Sequence, residues 1–344
     1  MEVGPLGVEV IPFALGFRRP YVTATGTLSR RESVLLRLRD ENGIIGLGEG
    51  VPMTLRGGDG LAKVVSELEG WADEPARFPV SPPARSAVSM AVADLVAKRE
   101  QLPLWEYLDP AAIQRPIHCN ATITAGEITD AVSQCEAWAE DGFEVFKLKS
   151  GPAEAVDLAT AVRSCLGAEV EIRIDANGSW GDLAAGILSE LEAVGVELVE
   201  EPVSGLSELA TLSRGTSIPL VADESVNDAS EAADARIEGA CAAVTVKLSK
   251  IGSLDAGLGG HLPTYLSSAL DGPVGIAAAA HVAQTLDPAL PWPDMAHGLA
   301  TGRLFEEELS TEGPLTVRNR LDPPSNGFGL GVELDERVLS LCRL

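Results

Sequence analysis

Phe146-Lys147-Leu148-Lys149 is a short apolar–charged alternation with two lysines two residues apart. In a β-strand, residues i and i+2 face the same way, so both ammonium groups emerge on one side. Like charges that close depress each other's pKa. A lysine that is neutral part of the time can act as a base. Taken alone, the pair also fits the exposed face of an edge strand, and the surrounding chain has to decide.

From Arg115 onward, short apolar strands alternate with Ala-rich helical stretches, the pattern of βαβ units around a parallel sheet. Strands are expected at 117–122, 145–149, 171–175, 198–200, 220–223, 243–247 and 263–268, with a weak one at 295–299. Eight such units make a (β/α)8-type barrel, an α/β fold whose active sites sit at the C-terminal ends of the strands. Before the barrel, 8–12, 33–38 and 44–49 read as strands, with a turn at Asp40-Glu41-Asn42-Gly43. Helical patterning follows at 61–71 and 84–99. The polar segments 18–31 and 49–60 read as loops able to act as lids. The division expected is an N-terminal α+β capping domain at 1–110, a barrel at 111–312 and a tail at 313–344 returning to the cap.

The charged residues at the strand ends keep the barrel's step. Lys149 to Asp175 is 26 residues, Asp175 to Glu200 is 25, Glu200 to Asp223 is 23 and Asp223 to Lys247 is 24. Closing the barrel points these five side chains at a common centre. Three converging carboxylates require a cation. An all-oxygen donor set without Cys or His favours a hard divalent ion such as Mg2+. Any one of the acids alone would more often be a helix cap.

Composition narrows the functional classes. The 344 residues are 45% hydrophobic and carry a net charge of −25, a field that repels nucleic acid and anionic membranes. No apolar run approaches a membrane span and no secretory signal is visible. Five scattered cysteines, none in a C-x-x-C spacing, read as reduced thiols of a cytoplasmic protein. Only six of the 26 basic residues are lysines, which suggests a salty cytoplasm or a GC-rich genome. The expected partner is a small-molecule carboxylate, and the sequence leaves a homo-oligomer open.

At this point the chain resembles the enolase superfamily, over nearly its whole length. Residues 146–149 look like its Lys-x-Lys strand. Arg173-Ile174-Asp175-Ala176-Asn177-Gly178, Val199-Glu200-Glu201-Pro202 and Ala222-Asp223-Glu224-Ser225 look like its three metal-ligand motifs, and Val246-Lys247-Leu248-Ser249-Lys250-Ile251-Gly252 like its second lysine motif. The ordered set is that of the muconate-lactonizing-enzyme-like subgroup. The resemblance implies Asp175, Glu200 and Asp223 as ligands of Mg2+, with Mn2+ able to substitute, and Glu224 beside them. Lys149 and Lys247 would be catalytic, with Lys147 tuning Lys149, and Lys250 would be peripheral. A mandelate-racemase pattern would place a His on the seventh strand, whereas His281 falls in the helix after it. A dipeptide-epimerase pattern would place a second Asp after Asp294. Segments 267–275 and 298–301 look like the o-succinylbenzoate synthase family, and N-succinylamino acid racemases share them. That family's reaction is a Mg2+-dependent dehydration in menaquinone biosynthesis. Ser267, Ser268 and Asn177 are then expected to contact substrate, the serine turn through its backbone N–H groups.

Overall fold

The computed structural model describes residues 7–23, 26–124, 126–286, 295–313, 316–323 and 327–344. The capping domain begins with an antiparallel sheet of β1 (Gly7–Thr23), β2 (Gly26–Arg39) and β3 (Ile45–Gly50). Helices α1 (Leu61–Asp73) and α2 (Pro82–Glu100) cover it, and α3 (Leu104–Leu108) leads out. The turn at 40–43 forms as expected: Asp40 Oδ1 accepts the N–H of Asn42 and of Ile44. The described residues of segment 18–31 are in strands rather than loop. β1 pairs with β2 from Gly7↔Arg39 to Gly16↔Arg30, and after a register break again from Tyr21↔Leu28 to Thr23↔Gly26. Backbone pairing does not require apolar side chains, so the polar stretch extends the hairpin with Arg18, Arg19 and Arg30 exposed near its end.

β3 shows how closely strand and helix approach. A Cβ added at Gly46, Gly48 or Gly50 would lie 2.2, 1.9 or 2.6 Å from the carbonyl oxygens of Ala91, Ala87 and Pro83 on α2. Alternate positions of the strand therefore rest directly on helix backbone, which only glycine permits. The intervening Leu47 joins the core shared with the barrel, and Glu49 is fully buried.

The barrel follows as β4 (Ile117–His118), β5 (Ala121–Ile123), α4 (Ile128–Glu140), β6 (Val145–Lys149), α5 (Ala155–Leu166), β7 (Glu171–Asp175), α6 (Ala184–Val194), β8 (Leu198–Glu200), α7 (Leu206–Ser213), β9 (Leu220–Ala222), α8 (Ala229–Glu238), β10 (Ala243–Val246), α9 (Leu248–Ile251), β11 (Thr264–Leu266) and α10 (Pro273–Ala283). Strands β5 to β11 form one parallel sheet in chain order. The weak eighth strand is reduced to bridges. His297 pairs with Cys119 and Gly298 with Ser267, joining the two edges of the sheet. Asp294 lies outside the described residues. The first expected strand, 117–122, divides at Asn120. β5 enters the barrel, while β4 pairs with β14 (Arg320–Leu321) of the tail, itself paired with β13 (Thr316–Val317). Between barrel and tail, β12 (Ser310–Glu312) pairs with β15 (Glu333–Leu334). The closing α11 (Glu336–Cys342) is capped by the Asp335 carboxylate, and the Leu344 N–H reaches Pro12 O on β1.

Alternation along the barrel strands sets the core and the site together. Phe146, Leu148, Ile172, Ile174 and Val199 pack in the main core with the helices. Leu198, Val221, Ala243, Tyr265 and Met295 form a separate inner cluster. Lys147 Nζ and the Arg173 guanidinium stand 5.3 and 5.4 Å from the Tyr265 ring centroid, so the charged residues of β6 and β7 share that interior. Four cysteines are buried, Cys165 is exposed, and all five are free thiols. Among the described residues no helix is long and apolar enough to cross a membrane.

His281 lies in α10, as expected, and is a structural tie. Its Nδ1 accepts the Trp105 N–H at 3.2 Å, which leaves Nε2 to donate to Leu330 O at 3.2 Å. Burial lowers its pKa from 6.5 to about 4, and lowers that of His297 to about 3. Between pH 6.5 and about 4 the unfolded chain takes up protons that the folded imidazoles refuse, so these two groups weaken the fold as pH falls through that window. Glu49 and Glu201, raised by burial to about 7, act with the opposite sign between that value and 4.5. The histidines are therefore best followed individually. In a pH titration of the four histidine ring signals by NMR, two should stay neutral at pH 5. Midpoints near 6.5 for all four would refute this.

Candidate active site

The parallel register places Lys149, Asp175 and Glu200 side by side at the ends of β6, β7 and β8. Asp223 follows β9, and Lys247 follows β10. The structure thus brings together all five spaced residues, and Lys147 with them. Lys147 Nζ donates to Glu200 Oε2 at 2.6 Å and lies 3.1 Å from Asp175 Oδ2. Lys149 Nζ donates to Asp175 Oδ2 at 2.7 Å and to Asn177 Oδ1 at 3.2 Å. Lys247 Nζ donates to Asp223 Oδ2. Asn177, in a left-handed conformation with φ 47°, also donates to Glu224 Oε1 at 3.2 Å.

Two expectations from the sequence are corrected here. Burial and Lys147 both oppose a charge on Lys149, but Asp175 outweighs them and raises its pKa. Lys147 is held well above its usual value, because Asp175 and Glu200 overcome the burial that opposes it. The like-charge effect is thus present but overridden by the carboxylates. Lys250 is not peripheral. It is 7% exposed, and its Nζ donates to the carbonyls of Asp223, Val226 and Thr245 at 2.7, 2.8 and 2.7 Å. It also reaches Asp223 Oδ1 at 3.2 Å. Lys250 therefore clamps the loop that presents Asp223. Glu201 helps from the other side: its carboxylate accepts the Asp223 N–H at 2.7 Å and the Ser225 hydroxyl.

Above this cluster lies a cavity of about 240 Å³. Lys147, Lys149, Asp175, Asn177, Glu224 and Lys247 line its barrel side, and Ser267 and Ser268 its rim. Three amides of the serine turn are committed within the fold. The N–H groups of Ser267 and Ser268 donate to Val246 O and Gly298 O, and that of Ala269 to Asp271 Oδ2. The Ser268 hydroxyl bonds Asp271 as well. From the cap come Tyr21, Arg31, Met53 and Leu55, none of them singled out by sequence. The only signal was their place in two loops read as lids.

The family model described as "Enolase C-terminal domain-like" matches residues 130–338, and "Mandelate racemase / muconate lactonizing enzyme, N-terminal domain" matches 7–108. The chain belongs to the enolase superfamily. Within it, the muconate-lactonizing-enzyme-like subgroup is its place. Over 222 residues it is 34% identical to an o-succinylbenzoate synthase of Thermobifida fusca, covering 62% of this chain and 68% of that one. It is 27% identical to an N-succinylamino acid racemase of Thermus thermophilus, covering 97% and 95%. The solved dipeptide epimerase of Enterococcus faecalis, complexed with Mg and a dipeptide, superposes with a TM-score of 0.87 at 23% identity, covering 96% and 99%. Enzymes of this superfamily generally use Mg2+.

The acids here suit such an ion chemically. Among the described residues no three ligating side chains stand close enough to grip a metal as placed, and lysine ammoniums bond the carboxylates. Yet Glu200 Oε1 is enclosed without a hydrogen-bond partner. Burial raises the Glu200 pKa to about 7 against the pull of Lys147, and Asp175 and Asp223 add to the rise. A buried, unsatisfied carboxylate oxygen flanked by two more acids is a hard-cation donor set.

Proposed function

We propose that the protein is a Mg2+-dependent o-succinylbenzoate synthase. It would remove water from 2-succinyl-6-hydroxy-2,4-cyclohexadiene-1-carboxylate by syn β-elimination, giving 2-succinylbenzoate for menaquinone biosynthesis in the cytoplasm. The observation that carries the reading is one cavity lined by Lys147, Lys149, Lys247 and Asp175, with Glu200 and Asp223 ion-paired to Lys147 and Lys247. The choice of substrate is supported by the identity to the Thermobifida fusca synthase and by segments 267–275 and 298–301.

Asp175, Glu200 and Asp223 would hold Mg2+, whose Lewis acidity at the substrate carboxylate makes the α-proton acidic enough for an amine. Asp175 held by such an ion would no longer keep Lys149 protonated, and burial and Lys147 would favour the free amine. Lys149 Nζ removes the α-proton, while the Lys247 ammonium stabilises the enediolate. Lys149 then returns its proton to the departing hydroxyl, which leaves as water as the ring becomes aromatic. Asn177 orients Lys149, and Glu224 holds Asn177 in turn.

Lysines on two strands also suit two-base racemisation of an N-succinylamino acid, the second reading. A dehydration assay on the cyclohexadiene substrate, run beside N-succinylamino acids in D2O, separates the two. Aromatisation without α-deuteration of the amino acid supports the synthase. Deuteration with inversion and no dehydration would replace it with the racemase. Under either reading, EDTA should abolish turnover and Mg2+ should restore it. Full turnover by metal-free protein would remove the ligand assignment.

A further inference from the structure

Arg31 sits on β2 at the cap side of the cavity, 5% exposed. Its Nε–H donates to Ala269 O on the barrel rim at 3.1 Å, and Nη2 to Pro52 O in the cap at 2.7 Å. Two of its five N–H groups are thereby committed. Nη1 bonds neither carbonyl, and Arg31 lines the cavity. No carboxylate among the described residues lies within ion-pair distance of Arg31. Buried Asp271 and Glu49 support the guanidinium by charge without touching it, and both also bond elsewhere. Asp271 Oδ2 accepts the Ser268 hydroxyl and the Ala269 N–H. Glu49 accepts the Ser33 hydroxyl and the N–H groups of Gly272 and Gly275 at the start of α10.

A buried guanidinium without a contacting counter-ion is costly. It is also unexpected in a chain with 51 acidic residues. Of the backbone amides at the serine turn, the other candidate for binding an anion, those of Ser267, Ser268 and Ala269 are already bonded within the fold. We propose that Arg31 receives a second, distal carboxylate of the substrate through Nη1 and the remaining Nη2 proton. The substrate class is then a dicarboxylate: one carboxylate at the lysine–acid floor and another, on a flexible arm of succinyl type, at the cap. This rests on the reading that the reacting carboxylate binds at the floor. It adds that the cap selects for a charged tail.

The test is calorimetric binding to the full-length protein with Mg2+, using 2-succinylbenzoate and 2-butyrylbenzoate, which differ in the distal carboxylate. The wild type should prefer the succinyl ligand by roughly 10- to 100-fold, the usual worth of a charge-assisted bidentate contact. In Arg31→Gln that preference should collapse to within about threefold, with 2-butyrylbenzoate binding unchanged and the near-UV circular dichroism preserved. Arg31→Lys should keep part of it, having charge without the fork. An equal loss for both ligands in Arg31→Gln would make Arg31 only a tie between Pro52 and Ala269 and overturn the proposal, as would a wild type without preference. The same comparison with an N-succinyl- and an N-butyrylamino acid separates this proposal from the choice of reaction. Arg31-dependent discrimination there, without any dehydratase activity, would support the carboxylate receptor and remove the synthase. Binding of none of the four ligands would overturn both.

Discussion

Lys149→Ala is expected to lose roughly 10²- to 10⁴-fold in turnover, the range for removing a positioned general base. It should also lose exchange of the substrate α-proton with solvent deuterium. The variant keeps Asp175, Glu200 and Asp223, and it deletes the ammonium that bonds Asp175. Mg2+ affinity, read by calorimetry, should therefore hold or improve. Added primary amines of small size should recover part of the rate, because the truncation leaves a gap above Asn177. Near-wild-type exchange in Lys149→Ala would transfer the base role to another residue, with Lys247 first in line.

The second large effect concerns stability. Lys250→Ala should lower the free energy of unfolding by about 3–5 kcal/mol, the cost of breaking a buried charged network from one side. It strips a donor from three backbone carbonyls and frees the loop that carries Asp223. Urea denaturation should show an earlier midpoint, and Mg2+ binding should weaken with it. Lys247→Ala is the comparison. Its ammonium lines the cavity and bonds the Asp223 carboxylate, so that variant should lose less stability than Lys250→Ala while losing activity. Equal melting of the two variants would mean that Lys250 does not clamp the loop.

The contrast between these two lysines shows where the sequence is legible. Lys149, Asp175, Glu200, Asp223 and Lys247 stand at strand ends at one-repeat intervals, with Lys147 two residues before Lys149, and periodic patterning predicts both the barrel and their convergence. Residues 145–149, 171–175 and 198–200 form strands over the lengths expected, because apolar residues facing the helices alternate with inward charges. Lys250 carries no such period. Its meaning lies in three backbone carbonyls, and no side-chain pattern announces those. Arg31 is illegible for the same reason: its acceptors are Pro52 O and Ala269 O, 21 and 238 residues away. The eighth strand was faint in sequence because it is faint in the fold, held by the bridges of His297 and Gly298. The hairpin beyond residue 17 was misread as loop because polarity marks exposure, and exposed ladders are still ladders.

The bare backbone contact of Gly46, Gly48 and Gly50 with α2 has a bearing on how new specificities arise on this scaffold. That root tolerates almost no chemical variation, because any side chain would collide with helix carbonyls. The far end of the same sheet, with Tyr21 and Arg31, reaches the cavity. Immutability at one end licenses novelty at the other. The glycine root thereby fixes the angle at which the Tyr21 and Arg31 end of the sheet meets the cavity.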